Sequence, residues 1–254
     1  MRTIRFGTSD ISNGLLILVN SSHPIKRDIP KKELAPTRSD TSDILLERQT
    51  VKMLSKITTL LRCENEIIPV SGYRNMLEQR TIYMNSLREN GYDFTQKYVA
   101  VPGCSEHQTG LAIDLAKNGD SIDFIRPDFP YTGICMRFRE LSIRYGFIER
   151  YPAGRERITQ ISHEPWHFRY VGYPHSEIMK NGFLTLEEYI TYLKQFPYRG
   201  SHMRFKDYRC DFEIFYISLH EGREGAIEIP NNIFYRISGN NEDGVVITLW
   251  KKRL

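Results

Sequence analysis

Paired cysteines are missing from this sequence. Cys63, Cys104, Cys135 and Cys210 show no framework spacing, so a disulfide-stapled secreted fold is not expected and the thiols read as reduced. No run approaches the ~20 apolar residues needed to cross a bilayer. The longest early run, "GLLILV" at 14–19, has only the length of a strand. Behind Arg2 and Arg5 there is no signal-like apolar stretch, which gives the expectation of a cytoplasmic protein without a membrane span. Charge of one sign is scarce too: a net charge of +4 with scattered basic residues gives no footprint for nucleic acid. No glycine-rich loop follows an apolar run, which argues against a doubly wound nucleotide binder.

The chain of 254 residues can bury a proper core, as one large domain or as a domain with an appendage. Residues 21–43 are rich in Pro, Ser and charge and read as a surface excursion. A helix is predicted over 44–62, capped by Asp43, with Leu46, Met53, Leu54, Ile57, Leu60 and Leu61 as its apolar stripe. A second, over 76–90, has Asn75 as cap, Glu78 three residues on and Gly91 as its exit. Further helices are expected over 132–145, ending at Gly146, and over 186–196, behind Thr185-x-x-Glu188. Short strands are expected at 14–19, 67–70, 98–101, 111–116 and 166–172. The irregular mixture predicts an α+β fold, a mainly antiparallel sheet with flanking helices. After residue 200 the texture becomes purely β, in "FEIFYISL", "GAIEIP", "IFYRIS" and "VVITLW". The expected organisation is a main domain over 1–200 and a small β-rich extension over 201–254.

The chemistry concentrates in two stretches. In "CSEHQTGLAIDLA", 104–116, a strand over 111–116 sends Leu111, Ile113 and Leu115 to one face and Ala112, Asp114 and Ala116 to the other. A carboxylate in such a strand is costly unless something positive meets it. Gly110 lets the chain turn so that His107 swings back over Asp114, either to share a divalent metal or to form a metal-free His–Asp pair. In "SHEPWHFRYVG", 162–172, Pro165 disfavours helix at Glu164, and a kink there lets Glu164 and His167 face one cavity. Two histidines and a carboxylate with an open fourth position form a catalytic zinc pattern. His167 would be the third ligand, with Glu164 placed as general base. His163 is a rival ligand, and Cys104, three residues before His107, is another.

Ser105-x-His107-x-x-Gly110-x-Ala112-x-Asp114, followed by Glu164-Pro-Trp-His167, resembles the zinc D-Ala-D-Ala peptidases of the VanX and VanY families. "LLILVNSSHPI", and "SGYR" at 71–74 leading into a helix with Gln79, are similar to the VanY branch. The lack of an evident signal segment is similar to the bifunctional cytoplasmic VanXY enzymes. The resemblance spans residues 10–200 and implies the α+β fold shared with the Hedgehog signalling domain. It further implies one zinc per chain held by His107, Asp114 and His167, with Glu164 as catalytic base and Arg74 on the developing oxyanion. Ser105 and Gln79 would bind the polar ends of the substrate, while Trp166 reads as packing that fixes the turn. The implied substrates are D-Ala-D-Ala and peptidoglycan precursors ending in D-Ala, and the implied role is resistance to glycopeptides. A wall endopeptidase of the same fold and a non-catalytic zinc module like Hedgehog are the alternatives; a structural site would need neither Glu164 nor Arg74. The balance of the two peptidase activities, D/L preference, a homodimeric state and the role of 201–254 stay open.

Overall fold

A computed structural model describes residues 1–38, 41–219 and 224–253. The chain forms two compact units, Val19–Thr185 and Met1–Leu18 with Leu186–Leu254. The change of texture near residue 200 therefore differs from the compact boundary at 185/186, and the first eighteen residues belong with the C-terminal ones.

The N-terminal segment contributes strand β1 (Arg2–Phe6). The larger unit begins with a hairpin of β2 (Leu34–Arg38) and β3 (Thr41–Glu47). It continues with α1 (Arg48–Leu61), β4 (Ile67–Ser71), α2 (Met76–Asn90) and α3 (Tyr92–Tyr98). Then come β5 (Ala112–Lys117), α4 (Gly133–Ser142), β6 (Phe147–Tyr151) and the short α5 (Glu156–Thr159). Strand β7 (Glu164–Tyr170) and helix α6 (His175–Gly182) complete the unit. Its sheet is antiparallel in the order β4-β5-β7-β6, so the α+β expectation holds. The apolar face of that sheet packs Ile113, Leu115, Phe147 and Phe168, all buried. Phe129, Phe138 and Phe168 meet edge to face, with centroids 5.2–5.8 Å apart, the geometry that aromatic quadrupoles favour.

The smaller unit resumes with α7 (Leu186–Leu193), followed by β8 (Met203–Lys206), β9 (Cys210–Ser218), β10 (Gly225–Ile229), β11 (Phe234–Gly239) and β12 (Gly244–Lys252). Four of these strands form an antiparallel sheet in the order β11-β12-β9-β8, while β10 pairs with β1. Ile4, Phe6, Phe215, Ile227, Val245, Ile247 and Leu249 are its buried apolar cluster.

Several expected elements differ in the structure. The run 14–19 is not a strand. Leu16 N–H donates to Ser238 Oγ (2.8 Å), Leu18 N–H to the Asn240 carbonyl (3.2 Å), and the Leu18 carbonyl accepts from the Asn241 amide (2.9 Å). Polar hooks thus satisfy an apolar backbone that would otherwise need a neighbouring strand. The stretch 21–43 contains a strand and half of a hairpin because Leu34 and Leu46 are buried. The first helix accordingly starts after residue 47, capped by Glu47 rather than Asp43: its carboxylate accepts from Gln49 N–H (2.9 Å) and Thr50 N–H (2.8 Å). No strand occupies 98–101, where α3 ends at Tyr98. The second helix spans 76–90 as expected, with both halves of the Asn75–Glu78 capping box in place.

That box fixes the start of α2 directly behind Arg74. Replacing the cap, Asn75→Ala, is expected to lower stability by about 1 kcal/mol. Urea unfolding should show a lower midpoint with an unchanged slope.

Candidate metal centre

The sheet register builds the site. Asp114 on β5 stands opposite His167 on β7 and Ser71 on β4, so these side chains share one face of the sheet. Glu164, three residues before His167, would fall on the other face of a regular strand. The pairing of β6 with β7 is irregular here: Glu149 faces Phe168 and Tyr151 faces Glu164. Two steps on β6 match four on β7, and this bulge at Pro165 turns Glu164 to the side of His167. The Glu164 Oε2–His167 Nδ1 distance is 3.8 Å.

His107 lies in a one-turn 3-10 helix, Glu106–Thr109, closed by Gly110 at φ 70°. That left-handed residue, natural for glycine, brings the imidazole back so that Nε2 sits 3.1 Å from Asp114 Oδ2. From the other side His167 Nδ1 lies 2.9 Å from Asp114 Oδ1. The three side chains are buried, and their ligand atoms lie within 4.8 Å of one another. Ligands held at ~2.0–2.1 Å around a tetrahedral zinc are about 3.4 Å apart, so the 2.9 and 3.1 Å approaches need only a slight opening. The donor set, two imidazoles and one carboxylate, is that of a catalytic zinc with an open position.

Arg74 follows β4 and is fixed by three bonds. Nε donates to Ser71 Oγ (2.8 Å), Nη1 to Gln79 Oε1 (3.2 Å) and Nη2 to Asp114 Oδ2 (3.1 Å). Gly72 lets this loop approach: a Cβ there would lie 2.4 Å from the Leu45 carbonyl oxygen.

Electrostatics follow from burial and neighbours. Burial alone would raise the Asp114 carboxyl, but His107 and His167 outweigh it and hold it well below the usual range. Burial lowers His107 to about 4, helped by Arg74, so its imidazole is neutral at pH 7, as a ligand must be. His167 is pushed up to about 9: burial opposes, and the carboxylates of Asp114 and Glu106 prevail. Burial pushes Glu164 up to about 8, only partly countered by His167.

A cleft opens onto this cluster, bordered by Arg74, Gln79, Ser105, His107, Asp114, Glu164 and His167. All seven candidate site residues therefore meet at one cavity. Tyr151, Phe124, Ile125 and Trp166 form apolar parts of its wall. Trp166 is also buried. Gln79 is engaged at both ends of its amide, accepting from Arg74 and donating to the Ala100 carbonyl (2.8 Å).

The rival ligands lie elsewhere. His163 Nε2 is 2.7 Å from the Tyr131 hydroxyl and 3.5 Å from Glu149 Oε1, and its ring stacks on Tyr131. Cys104 is absent from the one metal-competent cluster found among the described residues. Sequence reasoning missed Glu106, Arg150, Arg169 and Ser71, all buried around the cluster. For Glu106 the signal was present: a carboxylate beside His107 inside a segment with no solvent face.

The sequence model of the VanY family, described as D-alanyl-D-alanine carboxypeptidase, matches residues 43–173. The chain is 42% identical over 181 residues to the bifunctional D-Ala-D-Ala dipeptidase and D-Ala-D-Ala carboxypeptidase VanXYC of Enterococcus gallinarum. That match covers 71% of this chain and 95% of the relative. The structure is similar to that of the vancomycin resistance D,D-dipeptidase VanXYg in complex with a D-Ala-D-Ala phosphinate analogue. There the TM-score is 0.95 at 47% identity, over 98% of this chain and 99% of that one. A variant of the vancomycin resistance D,D-pentapeptidase VanY from a VanB-type cassette, in complex with Zn(II), matches with a TM-score of 0.55 at 32% identity, over 69% and 98% of the two chains. On the family model and on a relative covered almost end to end, this chain belongs to the VanY family of D-alanyl-D-alanine carboxypeptidases.

Proposed function

We propose that this chain is a zinc-dependent D,D-peptidase that hydrolyses D-Ala-D-Ala and removes the terminal D-Ala of peptidoglycan precursors in the cytoplasm, supporting glycopeptide resistance. One observation carries the reading: His107, Asp114 and His167 converge with Glu164 and Arg74 beside them on one cavity. A purely structural metal site needs neither a buried extra carboxyl nor a fixed guanidinium. The relatives named for D-Ala-D-Ala, and the dipeptide analogue bound to VanXYg, support the substrate. No helix among the described residues is long and apolar enough to cross a membrane. Catalysis is assigned to the unit Val19–Thr185, which holds all seven site residues.

His107 through Nε2, His167 through Nδ1 and Asp114 are the ligands we assign to one zinc per chain. When bound, such an ion supplies Lewis acidity toward a carbonyl and lowers the pKa of water from 15.7 to about 7. Glu164, beside the ligand set and off its metal-facing atoms, takes the proton of the attacking water. It then returns that proton to the leaving D-alanine nitrogen. Arg74, braced by Ser71 and Gln79, donates to the carbonyl oxygen as it gains charge. Ser105, at the start of the turn that carries His107, meets the polar end of the dipeptide. Gln79 acts on substrate through its hold on Arg74 and its place in the wall.

Four outcomes are expected of the purified, zinc-loaded protein. His107→Ala should lose the near-stoichiometric zinc that metal analysis finds in the wild type; undiminished zinc would refute the ligand set. Glu164→Gln should keep zinc and fold while losing about 10²–10⁴-fold in kcat, and Arg74→Ala about 10²–10³-fold. Wild-type turnover in either variant would remove that residue from the mechanism. D-Ala-D-Ala should be cut about 10²-fold faster than D-Ala-D-Ser, since an apolar pocket rejects an added hydroxyl only to that extent. Equal rates on the two would contradict the resistance role, and preference for L-Ala-L-Ala would contradict the D,D reading.

A further inference from the structure

A histidine that binds a metal uses one ring nitrogen for the ion and needs an acceptor for the other. The two histidines of this cluster solve the problem differently. His107 uses backbone: its Nδ1 lies 2.7 Å from the Gly72 carbonyl oxygen, which leaves Nε2 for Asp114 and the site. In His167 the roles of the nitrogens are exchanged. Nδ1 faces Asp114, and Nε2 points away from it, toward Glu106 Oε2 at 3.6 Å. These two facing atoms are buried, and neither has a hydrogen-bond partner, so each is left with only the other within reach of a small adjustment.

Glu106 is unusual in how it is held. Its Oε1 alone meets both arginines, Arg150 Nε and Arg169 Nη1, each at 2.8 Å. All three side chains are fully enclosed. An ion-pair staple between the turn and strands β6 and β7 would use both oxygens, because guanidinium and carboxylate pair best as forks. Here both cations crowd one oxygen and the second is left turned to the imidazole. A merely structural staple does not explain that orientation.

We propose that Glu106 is the positioning residue of His167. Its Oε2 is placed to close on Nε2–H as the acceptor when zinc binds, and so fixes the tautomer that presents Nδ1 bare to the metal. Arg150 and Arg169 clamp the carboxylate in that orientation. The inference rests on the metal reading of the cluster and extends it outward by one layer. A carboxylate behind a ligating imidazole raises its basicity, and loss of such a partner typically costs about 10–100-fold in metal affinity.

The test measures zinc affinity by chelator competition, together with the visible d–d bands of the cobalt-substituted protein. Glu106→Gln leaves two buried arginines facing a neutral side chain, so it is paired with Glu106→Gln/Arg150→Met, which restores the charge balance. Both variants are expected to bind zinc about 10–100-fold more weakly and to show shifted cobalt bands. A third measurement needs no variant. Imidazole nitrogen NMR of the zinc-loaded wild type should find His167 protonated on Nε2 and His107 protonated on Nδ1. Wild-type zinc affinity with unchanged cobalt bands in the folded double variant, or a His167 protonated on Nδ1, would overturn the proposal. A wild type that binds no zinc at all defeats the metal reading itself, and the proposal with it; that result is distinct from a wild type and variants that bind zinc equally.

Discussion

A single buried carboxylate organises the larger unit. Asp114 sits on the inner strand β5, enclosed on its sheet face, and an isolated ionised carboxyl in such a place would cost far more than a domain's net stability. The fold answers with positive or polarisable groups from three directions: His107 from the 3-10 turn, His167 from the neighbouring strand and Arg74 from the loop after β4. Removing Arg74 or His167 would leave that charge less compensated, whereas a divalent cation would satisfy the cluster with the donors already assembled. The features around the cluster serve this meeting: the left-handed Gly110, the close approach at Gly72 and the bulge at Pro165.

Around that core the groups sort by what holds them. His107 is oriented by a backbone carbonyl, Arg74 by side chains of Ser71 and Gln79, and Glu106 by two enclosed arginines. Arg74 and Glu106 therefore take their support from strands and a capped helix, and His107 from a loop carbonyl directly beyond β4. Functional geometry needs to be kept within a fraction of an ångström, and such supporting contacts are how proteins keep it. The apolar aromatic packing on the opposite face of the sheet gives those strands a rigid base.

Parts of the cluster were readable in the sequence where their logic is local, while the full ligand set followed only from the resemblance to the zinc peptidases. Asp114 fell on the polar side of an alternating strand, Gly110 marked the turn that returns His107, and Pro165 marked the kink beside Glu164. Less was legible where long-range contacts decide. The run at 14–19 has the residues of a strand, but its backbone partners, Ser238, Asn240 and Asn241, lie more than two hundred residues away. The hairpin at 34–47 was hidden in a polar stretch because a few buried leucines outweigh many prolines and charges. The association of β1 with β10 gave no signal, since antiparallel pairing across so long a loop leaves no pattern in either strand alone. Arg150 and Arg169 carried no signal in the sequence; only the folded chain sets them against Glu106.

The account stands on three side chains meeting at one metal. Anomalous diffraction at the zinc absorption edge, from crystals of the zinc-loaded protein, tests that most directly. A single strong peak is expected within about 2.0–2.2 Å of His107 Nε2, His167 Nδ1 and an Asp114 oxygen, with Glu164 outside bonding distance. A peak held instead by His163 or Cys104, or none in this cluster, would contradict it.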